Sequence, residues 1–127
     1  MNENMGITVE SKRPITEISE RIERISPEKG FRVLAVHNVQ ETLAGKGFKV
    51  EPLKIFEVCN AGFAYKAIQN DISVAMFMPC KIVVREAENK TTLTLVRPSM
   101  IAEFLPEAGL NDMAADVEKQ LLGIMDE

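Results

Sequence analysis

Apolar positions fall into two rhythms along this chain, and they alternate. Ile7-Thr-Val-Glu10 alternates apolar and polar, which predicts an opening strand. Ile15, Ile18, Ile22 and Ile25 then recur at helical spacing behind Pro14, a residue suited to a first helical position. Pro27 and Gly30 are expected to end that helix. Glu17 with Arg21, and Glu20 with Arg24, make i,i+4 pairs on its wet face. Phe31 to Asn38 reads as a second strand, apolar on parts of both faces and so expected inside the sheet. Asn38 with Glu41 forms a capping-box variant for a short helix stopped by Gly45 and Gly47.

Leu53 to Cys59 reads as a third strand, and Asn60 is a good N-cap for a helix running to about Asn70. Ile72 to Ala87 is the longest extended run, interrupted by Pro79, which predicts a bulge, an edge or a break. Glu88-Asn-Lys90 is a polar hairpin loop, and Thr91 to Val96 pairs back. Pro98-Ser99 opens a short helix closed by Pro106. Asn111 is expected to cap a last helix with Met113, Val117, Leu121 and Ile124 on its buried face. Asp126 and Glu127 stand at the wrong end of its dipole, which predicts fraying. The expected fold is α+β: a twisted mixed, largely antiparallel sheet of about five strands with helices packed on it.

Length and composition add bounds. A chain of 127 residues fits one domain, and its 46% hydrophobic and 27% charged content is that of a soluble globular protein. No apolar run approaches the roughly 20 residues needed to span a bilayer, so no membrane role is expected. Met1-Asn-Glu-Asn-Met-Gly6 lacks the basic start and apolar core of a signal peptide, which points to a cytoplasmic location. The net charge of −4 sits entirely in the last segment: residues 111–127 hold five acids and only Lys119 as a base. No basic stripe of the kind nucleic acid requires is present, so no nucleic-acid role is expected.

Chemistry centres on the two cysteines. Cys59 and Cys80 make no Cys-x-x-Cys pair, and a cytosolic setting favours free thiols. Cys59 precedes a helix start, where unpaired amides favour a thiolate; this nominates it as a nucleophile, redox thiol or soft-metal ligand. The plainer alternative is a small hydrophobe before a cap. If the third strand neighbours the long extended run, Cys80 meets Cys59, and both are taken as the candidate catalytic residues. Asn60, Ala61, Gly62 and His37 are the candidate ligand-binding residues: the helix start, and the single histidine at the end of the second strand on the face of Phe31, Val33 and Ala35. Met76, Met78 and Cys80 alternate, and on a regular strand they would share a face suited, with Cys59, to Cu(I). Methionine is also a common core filler, and no metal ligand is assigned. Gly45-Lys-Gly47 is too short for a phosphate loop. No cofactor is implied.

Gly30-Phe31, Val39-x-x-Thr-Leu43, Val58-Cys-Asn-Ala61, Ala64-x-x-Ala67 and Met78-Pro-Cys-Lys-Ile-Val-Val84 occur in an order that resembles the bacterial and archaeal family called domain of unknown function 302, over roughly residues 14–125. The resemblance implies a compact α+β fold with a twisted sheet and a homodimer, not a reaction. Two positions depart from the pattern. Ala61-Gly62 stand where a proline usually follows the asparagine. Met76 and Met78 stand where leucines are expected, which argues against a family-wide copper site built on them. Together these features predict a homodimeric domain that binds a small molecule or reacts through a thiol at Cys59 and Cys80, handling sulfur species or a soft metal. The alternative is a non-catalytic small-ligand or protein-interaction module in which both cysteines are structural.

Overall fold

The computed structural model describes residues 1–126, so Glu127 and its predicted fraying lie outside the described residues. The chain runs β1 (Gly6–Ser11), α1 (Ile15–Glu28), β2 (Arg32–Asn38), α2 (Val39–Ala44), β3 (Leu53–Cys59) and α3 (Ala61–Asn70). A 3₁₀ helix (Ile72–Phe77) follows, then β4 (Cys80–Ala87), β5 (Lys90–Val96), α4 (Pro98–Phe104), a 3₁₀ turn (Pro106–Ala108) and α5 (Asn111–Met125). This is the expected α+β architecture. The five strands form one sheet in the order β1-β5-β4-β3-β2. All four pairings are antiparallel, and none of the crossovers produces a parallel pair. The longest crossover is α1, which carries the chain from one edge of the sheet to the other.

One sheet face is the core. Phe56, Val58, Ile82, Val84, Leu93 and Leu95 alternate inward along β3, β4 and β5. They meet Ile15, Ile18 and Ile22 of α1 and Val117, Leu121 and Ile124 of α5, the stripes expected from the helical spacing. A smaller cluster, Ala67, Val74, Ala102, Leu110 and Ala114, holds α3, the 3₁₀ helix, α4 and the start of α5 together. The side chains of Glu57, Lys81 and Arg85 occupy the opposite face. Among the described residues no helix is long and apolar enough to cross a membrane.

Local chemistry sets the element ends. Asn38 Oδ1 accepts the Glu41 amide at 3.0 Å, as the capping-box spacing predicts. Pro27 does not end α1; it lies inside the last turn. The helix closes on Gly30 at φ +80°, with Phe31 N–H donating to Ser26 O at 2.8 Å and Gly30 N–H to Pro27 O at 3.1 Å. That is the Schellman closure, in which glycine takes the left-handed position. Glu88 and Asn89, both at positive φ, form the two-residue turn between β4 and β5. Asn111 is the first residue of α5 rather than its cap; Leu110 occupies the cap position without a side-chain bond.

Three expectations about the sheet are corrected. First, β2 is an edge strand, not an internal one. Its two apolar faces come from a bulge: Val33 pairs with Val58 and Val36 with Phe56, so the inward face changes parity between them. Leu34 and Val36 stay 52% and 39% exposed. Second, the same bulge puts His37 opposite Ile55, on the outer face, away from Val33. Third, residues 72–77 are not strand. Asp71 Oδ1 accepts the Ser73 amide at 2.9 Å and caps a 3₁₀ helix, and β4 starts only at Cys80. Met76 is 78% exposed and does not alternate with Met78 and Cys80 on a strand face.

Candidate functional site

Cys59 closes β3 and Cys80 opens β4. The antiparallel register sets Val58 opposite Cys80, so Cys59 and Cys80 are offset by one residue across the strand pair, at positions that alternate between the two sheet faces. Both are free thiols and only partly buried. They line a cavity of about 80 Å³ together with Asn60, Phe63, Met78 and Met113. The cavity lies in the seam between the two apolar clusters: Val58 and Val117 of the main core form one side, Val74 and Leu110 of the smaller cluster the other. Sheet and helices there converge without closing.

Asn60 builds the rim. Its Oδ1 accepts the Phe63 amide at 3.1 Å, and its Nδ2 donates to Gly30 O at 2.9 Å. One side chain therefore starts α3 and ties it to the end of α1. Ala61 and Gly62 lie exposed on the first turn, and a Cβ built on Gly62 meets only Asn60 Oδ1, at 3.4 Å. No close backbone approach demands glycine at 62. Phe63 is the residue of that turn that faces the cavity.

The thiols are neutral near pH 7. Burial pushes the Cys59 thiol up. Burial first, and the nearby Cys59 second, push Cys80 up to about 11, while the charge of Lys81 pulls the other way. Desolvation disfavours the charged form. The expected acidic Cys59 is not what this geometry provides, because the cap, not the sulfur, receives the helix amide.

His37 stands apart from the cysteines. Its Nε2 is 2.6 Å from Glu57 Oε1, and Glu57 Oε2 is 4.0 Å from Lys81 Nζ, on the outer sheet face. Of the six residues nominated from sequence, Cys59, Asn60 and Cys80 come together at the cavity; Ala61, Gly62 and His37 do not line it. Phe63 was legible as the third residue after a cap. Met113 carried no local signal, since α5 brings it in from far along the chain. Among the described residues, no three His, Cys, Asp or Glu side chains gather into a metal site.

An antiparallel α+β domain with helices on one sheet face and a thiol-lined apolar cavity at one end is a defined architecture. The chain belongs to the family described as Domain of unknown function DUF302, which it matches over residues 7–127. It is similar to an uncharacterized conserved protein DUF302 from Bacillus stearothermophilus, known from a crystal structure. The two are 32% identical, the match covers 96% of each chain, and the TM-score is 0.90. No curated protein matches the sequence.

Proposed function

We propose that this domain binds a small ligand in the cavity beside Cys59 and Cys80, working as a homodimer in the cytoplasm. The observation that carries the proposal is the cavity itself: about 80 Å³, apolar in its walls, with two partly buried cysteines among its lining residues. Water takes about 30 Å³ per molecule in the liquid, so the space of about 80 Å³ suits a ligand of about three heavy atoms. Neutral thiols and thioethers favour a polarisable occupant, a sulfur compound or a soft metal, over an anion. Protonated thiols count against a nucleophilic step, so binding without catalysis is preferred.

Support for the dimer comes from β2. Its outer edge leaves backbone groups unpaired beside exposed Leu34 and Val36, a surface that a second β2 would extend antiparallel. Light scattering of the native protein and of Val36→Lys tests it; monomers in both remove the dimer.

The ligand proposal is tested by titrating ¹⁵N-labelled, reduced protein with dimethyl sulfide and with propane. Saturable shifts at Phe63, Ala67 and Ala114, larger for the sulfide, are expected, and Ala114→Val should weaken them. Shifts that never saturate, or that map elsewhere, overturn it.

A further inference from the structure

Large apolar side chains lie open on one part of the surface. Met76 is 78% exposed, Phe104 65%, and Val96 is exposed at the end of β5. Singly they would need no explanation. They gather around one groove of about 140 Å³, where the 3₁₀ helix, the end of β5 and the start of α4 meet. Met76, Phe77, Val96 and Met100 supply its apolar walls. Phe104 extends them by stacking on Phe77, with ring centroids 6.0 Å apart. Pro79 and Ile101 are among the residues that line both groove and cavity and so divide the two. A contiguous exposed apolar surface of this kind marks a binding site.

Two cations stand in that apolar lining, Lys81 and Arg97. Arg97 is fixed in place: Nε donates to Asn4 O at 2.9 Å, while its terminal nitrogens make only long contacts, with Ser99 Oγ at 3.4 Å and Glu103 Oε1 at 3.6 Å. The contacts of Lys81 are longer still for its charge. Nζ lies 3.5 Å from the carbonyl oxygen of Pro79, a residue of the groove wall, and 4.0 Å from Glu57 Oε2. The acids facing these cations hold them loosely. Glu57 is turned to His37, 2.6 Å from its other oxygen, and Glu103 is an exposed side chain in a surface pair of small energetic weight.

We propose that this groove, a second site outside the cavity, binds a small amphipathic carboxylate: the head paired with Lys81 and, beside it, Arg97, the aliphatic chain against Met76, Val96 and Met100. Such a ligand exchanges long contacts for short charge-assisted ones, and its chain keeps water from them. A bare anion would leave the apolar walls wet, and an amine would meet two like charges. Size follows from volume. At about 30 Å³ per water molecule, about 140 Å³ holds about five heavy atoms, a carboxyl group and two further carbons. A longer chain would lie along the exposed faces of Met76 and Phe104. Methionine suits such walls, because an unbranched thioether adapts to chains of different length.

The experiment titrates ¹⁵N-labelled native protein with hexanoate, hexylamine and acetate at constant ionic strength and neutral pH. Saturable shifts at Met76, Val96 and Met100 are expected for hexanoate. Its affinity should exceed by about tenfold or more that of hexylamine, which has the chain and the wrong charge, and that of acetate, which has the charge and no chain. Lys81→Gln should weaken hexanoate about tenfold and leave hexylamine no weaker. Met76→Glu, at a side chain too exposed to matter for folding, should abolish the hexanoate shifts. Hexylamine or acetate binding as tightly as hexanoate, shifts that never saturate or that centre on Ala67 and Ala114, or an unchanged affinity in Lys81→Gln would each overturn the proposal. Its outcome is separate from that of the cavity: if hexanoate fails while dimethyl sulfide still shifts Phe63, Ala67 and Ala114, the groove site alone falls.

Discussion

Raising the pH of the reduced protein should expose the state of Cys80 directly. Its thiol is pushed from an ordinary 9.0 up to about 11, chiefly by burial. At pH 8, about one Cys80 in a thousand is then a thiolate, against about one in ten for a thiol at the ordinary value. Iodoacetamide attacks the thiolate, so Cys80 in the folded protein should be alkylated about a hundredfold more slowly than in urea. Cys59, also raised but less enclosed, should label before it. The same shift has a thermodynamic face. The folded-state value lies above the unfolded one, so the neutral thiol stabilises the fold below about pH 9, and this contribution is lost as pH rises through about 11. Two pH units correspond to about 3 kcal/mol at most. Urea midpoints measured from pH 8 to 11 should therefore fall more steeply for the native protein than for Cys80→Ala, whose packing defect is a constant offset. Peptide mass spectrometry follows the labelling. Equal labelling of Cys80 at pH 8 in folded and unfolded protein, or identical pH slopes in native and Cys80→Ala, would refute the reasoning.

Asn60→Ala removes a cap and a bond to Gly30, and should destabilise by about 2 kcal/mol, while Asn60→Ser keeps a capping oxygen and should cost about half as much; urea unfolding distinguishes them. Gly30→Ala forces a side chain onto a residue at φ +80° and sets its Cβ 3.2 Å from Asn60 Nδ2, so a loss of about 1–2 kcal/mol is expected, smaller in the Asn60→Ala background where that contact is gone. Phe56→Ala, at the fully buried centre of the sheet, should cost about 3–5 kcal/mol in the same assay. His37→Ala breaks an exposed contact with Glu57 and should cost under about 1 kcal/mol, without altering the dimethyl sulfide titration.

Where one face of an element carries its whole signal, the sequence was readable. Ile15, Ile18 and Ile22, and likewise Val117, Leu121 and Ile124, are buried as their spacing requires. Asn38 and Asn60 cap as their positions before short apolar helices suggest. Nonlocal choices were not readable. Nothing near Arg32–Asn38 says that the strand is at an edge, because β1 pairs with β5 and leaves β2 without an outer neighbour. Residues 72–77 satisfy strand propensity, yet they form a 3₁₀ helix that the Asp71 carboxylate caps. The cysteine pair was half legible: the strands that hold it could be read, but their adjacency and the arrival of Met113 depend on the packed fold.

The competition at the start of α3 explains why Cys59 is not acidic. A helix terminus stabilises a nearby anion by about 0.3–1 kcal/mol when exposed, and the effect fades beyond the first turn. Here the Phe63 amide is taken by Asn60 Oδ1 and the Ala64 amide by Asn60 O at 2.9 Å. Cys59 lines an apolar cavity, and desolvation prevails. A cysteine followed by a strong N-cap is thus a poor candidate for a helix-activated thiolate, since both groups need the same amides.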